Sequence, residues 1–390
     1  MTAVAAGVAT LILRPRSGLI EPVPIDVEAY FTIAQLERAE DFRGPQRLLG
    51  LGGIVVAGAT LTLLALRPPA RALELLGRRP ILGGAAAAAG ISLLLVAVDL
   101  PLAAVMHERA VDVGLSSQTW GLWLSDLAKS AGIGLVFTGV GGAIAVALMR
   151  RFRRHWWAPA SACVTGFAVV SIWLFPVVID PLFNKFEPLE PGTLRDQVLR
   201  LAEEADVSVG EVYLVDASKR TTAANAYVGG LGKTKRVVLY DNLVKGFPPD
   251  QVKMVVAHEL AHQKHRDLIR GLAWLALVAP AGTFLAQRLT ELFGRPAGPA
   301  ALPGLALALT LVSFGVGAAS NVLSRQVEAR ADAFSIELTE DPAAHIALER
   351  RLAVRNISDP DPPGLLHGLF GTHPTTAERI GIGAAWAREH

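Results

Sequence analysis

His258-Glu259-Leu260-Ala261-His262-Gln263-Lys264-His265-Arg266-Asp267 stands just before an apolar run from Gly271 to Gln287. A second run, Pro296 to Ser324, then precedes Glu328-Ala329-Arg330-Ala331-Asp332. Pro248, Pro249 and Asp250 open a helix toward residue 266, because proline suits the first helical position and an acid suits the first turn. His258 and His262 lie four residues apart. They therefore share one helical face, where both imidazoles reach a single ion. Glu259 sits beside them, placed to polarise the attacking water and not to ligate. Catalytic zinc takes three protein ligands and keeps one position open. His265 falls on roughly the same face, but three ligands from one short helix surround an ion poorly. Glu328 is the stronger candidate for the third ligand. A hairpin of two spans leaves a membrane surface and returns to it, so Glu328 comes back beside the His258 helix. Asp332, one turn further on, is placed to accept a hydrogen bond from a ligating imidazole. The set predicts one Zn2+ per chain, and cobalt or manganese suits the same donors.

The rest of the chain agrees with a membrane setting. Of 390 residues, 52% are apolar and 18% charged, against about 25% charge in a soluble domain. That hydrophobicity excludes disorder. Cys163 is the only cysteine, which excludes a disulfide scaffold, and a net charge of +2 gives no field for nucleic acid. Further uncharged runs of spanning length are Leu48 to Leu66, Pro80 to Val98, Ser130 to Met149 and Trp156 to Ile179. Gly271 to Gln287 is slightly short, but Arg270 and Arg288 at its ends can snorkel outward. Met1 to Leu13 is apolar but too short, and reads as a clipped first span, the seventh in all, in preference to a poor signal peptide. Arginines and lysines divide nearly evenly between the two sides, so charge alone does not orient the chain. Asp99, inside an apolar stretch, is either a functional acid or a helix-end residue just before Pro101.

Two segments are polar. In Asp180 to Asp267, Thr193 caps a helix with an apolar stripe of Leu194, Val198, Leu201, Ala202 and Ala205. Val212 to Val215 and Arg236 to Tyr240 read as strands, with Ala224 to Val228 as a third and a glycine turn at Gly229, Gly230 and Gly232. The second polar segment is the tail. The predicted organisation is membrane helices over 1–179, a zinc-helix lobe over 180–267, a two-span hairpin over 268–324 and a segment over 325–390 that completes the site. The fold class is mainly α: a polytopic membrane protein of six spans, with a small α+β lobe.

The ordered set of residues resembles the membrane zinc metallopeptidases that include CAAX prenyl protease type 1 and, more distantly, HtpX. Beyond the zinc residues it rests on Pro181-Leu182-Phe183-Asn184-Lys185-Phe186 with Pro188-Leu189, on Asn225-Ala226-Tyr227 followed by Arg236 to Tyr240, and on His373-Pro374 with Arg379. Tyr30-Phe31 with Arg38 adds a weaker match. The resemblance implies a gluzincin-like endopeptidase in the cell membrane, its site facing the cytosol. Glu259 would be general base, and His373 and Arg379 would hydrogen-bond the oxyanion. Ala224 to Val228 would offer a strand edge to an extended substrate, with Asn225 and Ala226 contacting its backbone. The partners are then the bilayer and a lipid-modified peptide or a damaged or signalling membrane protein. A metal transporter or channel is the competing class, yet cargo sites lie near the bilayer midplane between spans. A non-catalytic scaffold is a third, and Glu259 argues against it.

Overall fold

The computed structural model describes residues 2–229, 235–294 and 297–390. Gly230 and Gly232 of the expected turn, and Pro296 of the last apolar run, lie outside these. The chain begins with helices α1 (Thr2–Leu13), α2 (Ile33–Leu66), α3 (Ala70–Gly77), α4 (Pro80–Asp112), α5 (Trp120–Arg151) and α6 (Trp157–Leu174). A π-helical turn at Phe175–Ile179 and α7 (Asp180–Phe183) lead into the lobe. There follow β1 (Phe186–Pro188), α8 (Thr193–Glu204), β2 (Glu211–Val215), β3 (Ala226–Gly229), β4 (Arg236–Tyr240), α9 (Asp241–Gly246) and α10 (Pro249–Lys264). The chain then re-enters the bundle through α11 (Asp267–Glu291) and α12 (Leu302–Thr339), and ends with α13 (Pro342–Arg355), α14 (Gly364–Phe370) and α15 (Thr376–Glu389).

Six helical stretches among the described residues are long and apolar enough to cross a bilayer. They make this a multi-pass membrane protein. Several run well past their apolar part. α2 starts at a capping box of Thr32 and Gln35 and continues for 34 residues, roughly 50 Å at 1.5 Å per residue. A hydrocarbon core takes about 30 Å, so the first turns of α2 stand outside it. α12, at 38 residues, does the same at its other end. The returning helix thus carries Glu328 and Asp332, as their spacing predicts, and continues to Thr339. In the run Gln326-Val-Glu-Ala-Arg-Ala all but the valine are good helix formers, and nothing in it breaks the helix. α4 likewise runs unbroken through Pro101. Asp99 is thus inside a helix and not at its end, with its carboxylate 2.8 Å from where a Cβ on Gly53 of α2 would sit. α1 packs on the hairpin: Trp274 Nε1 donates to Thr10 Oγ1 at 3.0 Å, and Ala6 and Ala9 join Val278 and Leu323 in a buried cluster.

The sheet order is β1-β2-β4-β3, with β2 and β4 parallel and the outer pairs antiparallel. β1 is too short to show a pattern in the sequence. Gly192, and not Thr193, is the N-cap of α8. One apolar core joins α8, the sheet and α10: Leu201, Val212, Val237, Leu239 and Leu260 are all almost fully buried. Trimming such a leucine to alanine costs about 2–5 kcal/mol. Leu260 lies directly between the two histidines in sequence, so this core fixes the rotation of α10 about its axis and turns His258 and His262 away from the sheet toward α12.

Candidate active site

α10 and the protruding end of α12 cross, and their side chains meet. Donor atoms of His258, His262 and Glu328 lie within 4.8 Å of one another. His258 Nε2 is 3.1 Å from Glu328 Oε2, and His262 Nε2 is 3.8 Å from Glu328 Oε1. The far nitrogens are held as well. His258 Nδ1 is 2.8 Å from Asp332 Oδ1, and His262 Nδ1 is 3.1 Å from Asp267 Oδ2. A carboxylate only accepts, so each Nδ1 carries a proton, which leaves each Nε2, on the Glu328 side, as the nitrogen that would ligate a metal. Two neutral imidazoles and one carboxylate with this backing are a zinc donor set. Electrostatics point the same way. Burial disfavours charge on His258, but Asp332 and Glu328 outweigh it and hold its pKa up to about 10. The site is built to hold positive charge.

Each backing carboxylate has a guanidinium behind it. Arg379, on α15, donates through Nε to Asp332 Oδ2 at 2.8 Å, and its Nη1 is 2.8 Å from Glu349 Oε2 on α13. Arg330 donates to Asp267 Oδ1. The expected contact of Arg379 with an oxyanion is corrected here: its guanidinium is taken up by Asp332 and Glu349, and it anchors the residue that orients His258. His265 is not brought into the donor set; it packs edge-on against Phe334 with ring centroids 5.6 Å apart. His373 stands on the open side, with Nε2 3.3 Å from Glu328 Oε2 and its side chain 56% exposed.

Glu259 faces β3. Burial pushes its carboxyl up, the two histidines oppose this, and the Val228 N–H donates to it. Val228 O accepts from Gln263 Nε2 at 3.2 Å. β3 is an edge strand, and Tyr240 N donates to Asn225 O at 3.1 Å. By alternation the outward backbone groups are those of Ala226 and Val228. Asn225 is exposed, and the Ala226 side chain is buried. A cavity of about 750 Å³ joins His373 and the turn after it to Leu51 and Ile54 of α2, Met106 of α4 and Phe370 of α14.

Asp267, Arg330, Glu349 and His345 had no functional reading in the sequence. Asp267 reaches His262 because Arg266 takes a left-handed conformation, φ 54°. That turn starts α11 back under the histidine, and neither glycine nor asparagine marks it.

A model of Peptidase family M48 matches residues 188–382, and a model of the CAAX prenyl protease N-terminal region, five membrane helices, matches residues 52–185. A Bacillus subtilis protein named Uncharacterized metalloprotease YhfN is 34% identical over 301 residues, covering 74% of this chain and 70% of its own. CAAX prenyl protease 1 of Saccharomyces cerevisiae is 28% identical over 323 residues, covering 74% of this chain and 69% of its own. The crystal structure of S. mikatae Ste24p shares the fold, with a TM-score of 0.81 at 20% identity over 98% of this chain and 99% of that one.

Proposed function

The chain belongs to Peptidase family M48, and within that family we propose that it cuts extended segments of membrane-associated or lipid-modified proteins, in the cell membrane, from a site open to the cytosol. It is a membrane-embedded metallopeptidase. The observation that carries the finer reading is the meeting of His258, His262 and Glu328, with Glu259 on the same helix. A transporter is not favoured, because these histidines lie on a lobe helix packed against a sheet and not between spans at mid-membrane.

His258, His262 and Glu328 would hold one zinc ion. Zinc bound there supplies a Lewis acid for the scissile carbonyl and lowers the pKa of water toward about 7. Glu259 accepts a proton from the attacking water and delivers it to the leaving amine, a role its raised pKa suits. His373, exposed beside Glu328, is the side chain placed to donate to the developing oxyanion. Asp332 and Asp267 keep the imidazoles in one tautomer and one orientation. The outer edge of β3 receives the substrate as an added strand through the Ala226 backbone, with the exposed Asn225 side chain beside it. The cavity from His373 to Ile54 and Phe370 supports a substrate with an apolar part that stays at membrane depth.

The test is a peptide ending in a prenylated cysteine, beside its unmodified twin, incubated with purified protein in detergent with and without a chelator. Chelator-sensitive cleavage of at least one is expected, with the prenylated form cut faster. Cleavage that survives the chelator overturns the metal site. Equal rates for the twins overturn lipid preference.

A further inference from the structure

We propose that the end of the helix bundle away from the active site binds anionic phospholipid headgroups through a rigid set of unpaired arginines. Arg150 and Arg151 end α5, Arg153 and Arg154 lie on the turn before α6, and all four are exposed. Arg67, Arg71, Arg78 and Arg79 flank or belong to α3, at the same end, and are exposed too. Among the described residues none of these side chains pairs with a carboxylate; the acids near them are Glu74, which is exposed, and Glu291, which Gln287 and Arg288 hold. The whole chain carries a net charge of only +2, so positive charge is concentrated here.

The other end of the bundle shows what arginines do when the fold uses them. Arg38 donates to Val113 O, Arg43 to Ile357 O and Asn356 O, Arg109 to Asp41 O, and Arg47 pairs with Asp359. Arg38 and Arg109 tie α2 to the end of α4, and Arg43 and Arg47 tie α2 to the segment after α13. Among the described residues the arginines at the far end make no side-chain hydrogen bond or ion pair, yet their backbone is fixed. Gln287, 2% exposed, donates to Arg154 O at 2.9 Å and accepts from Trp157 N at 3.1 Å, clamping the turn. Leu73 anchors α3 in a buried cluster with Val146, Met149 and Trp156. A preformed cationic surface loses little entropy on binding.

The occupant is a lipid and not a nucleic acid, because apolar side chains stand exposed among the arginines. Leu66, Leu75 and Leu82 are 63%, 61% and 64% exposed. Leucine beside arginine at the end of a spanning helix fits the boundary where acyl chains meet phosphate.

The experiment reconstitutes the full chain in nanodiscs of equimolar phosphatidylglycerol and phosphatidylcholine, then counts by native mass spectrometry the lipids kept through delipidation. Preferential retention of phosphatidylglycerol is expected. Arg150→Gln/Arg151→Gln/Arg153→Gln/Arg154→Gln should reduce that preference by up to roughly fivefold per arginine removed. Arg71→Gln/Arg78→Gln/Arg79→Gln, an independent variant, should do the same. Arg14→Gln/Arg16→Gln, at the lobe end, should leave it unchanged. Equal retention of both lipids by the native protein overturns the proposal, as does a preference that survives both variants or falls equally in the control. Displacement of the lipid by millimolar inorganic phosphate or by a short DNA duplex would assign the surface to those ligands instead. None of these readouts depends on peptidase activity.

Discussion

Glu259 follows His258 directly in α10, so it cannot share the histidine face; its carboxyl meets the Val228 N–H instead. Position thus separates the proposed proton carrier from the proposed ligands. Glu259→Gln changes little in shape and should keep one metal ion per chain, measured by elemental analysis. Turnover should fall by roughly 10² to 10⁴-fold, the usual worth of a general base. Native-like turnover in this variant would remove Glu259 from the mechanism. Asp267 makes a second residue-scale case. Asp267→Asn should weaken metal affinity by roughly 10 to 100-fold, read by competition with a chromogenic chelator. Unchanged affinity would leave Asp267 as a helix-start acid held by Arg330. The donor residues and Asp332 were legible in the sequence because their spacing is local to two helices. Asp267 was not, since its position depends on the left-handed turn at Arg266.

Between elements, α12, α13 and α15 are joined by Arg379, which contacts Asp332 and Glu349 and whose carbonyl accepts from His345 Nε2 at 3.1 Å. His345 is 1% exposed, and its Nδ1 has no partner. Burial is the main cause that lowers its pKa, to about 4, against the pull of Asp332 and with the help of Arg379. The folded pKa lies below the unfolded value near 6.5, so unfolding takes up a proton. Stability is full above about pH 6.5 and is lost as pH falls toward 4, by ~3 kcal/mol from this group. Burial pushes Glu349, on the same Arg379, up to about 7, which opposes this loss in the same window, so with a chelator present the His345 contribution to thermal unfolding is read as the difference between the native protein and a variant. His345→Phe should flatten the limb between pH 6.5 and 4. An unchanged profile would mean that His345 does not titrate in this window. These contacts were hidden from the sequence. Apolar runs and strand-rich stretches revealed the spans and the lobe, because both signals are local. The reach of α2 and α12 beyond the bilayer, and the packing of α13 and α15 on α12, arise where polar helices meet in space.

The whole molecule sets the depth of the site. α11 begins at Asp267, only five residues after His262, and α12 carries Glu328 a few residues beyond its apolar stretch. The helix that carries the histidines thus ends one short turn before a spanning helix, the helix that carries Glu328 extends another, and the candidate site lies close to the membrane surface. A folded domain cannot bring its backbone there without unfolding locally, whereas an extended segment can lie along Asn225 and Ala226. The cavity between α2, α4 and α14 opens beside His373 toward Leu51 and Ile54, so an apolar anchor can stay at membrane depth while the peptide reaches Glu259. The protein should therefore cut flexible, membrane-tethered peptides and spare stable domains. The measurement uses two tethered substrates that share one cleavable sequence, in a flexible tail in one and inside a stable folded domain in the other. The tail should be cleaved at least tenfold faster, because local unfolding that costs more than about 1.4 kcal/mol lowers the competent population by that factor. A destabilising substitution in the folded substrate should then raise its rate toward that of the tail. Equal rates for the native pair would mean that whole domains reach Glu259, and a site confined between bilayer, α2 and β3 would be untenable.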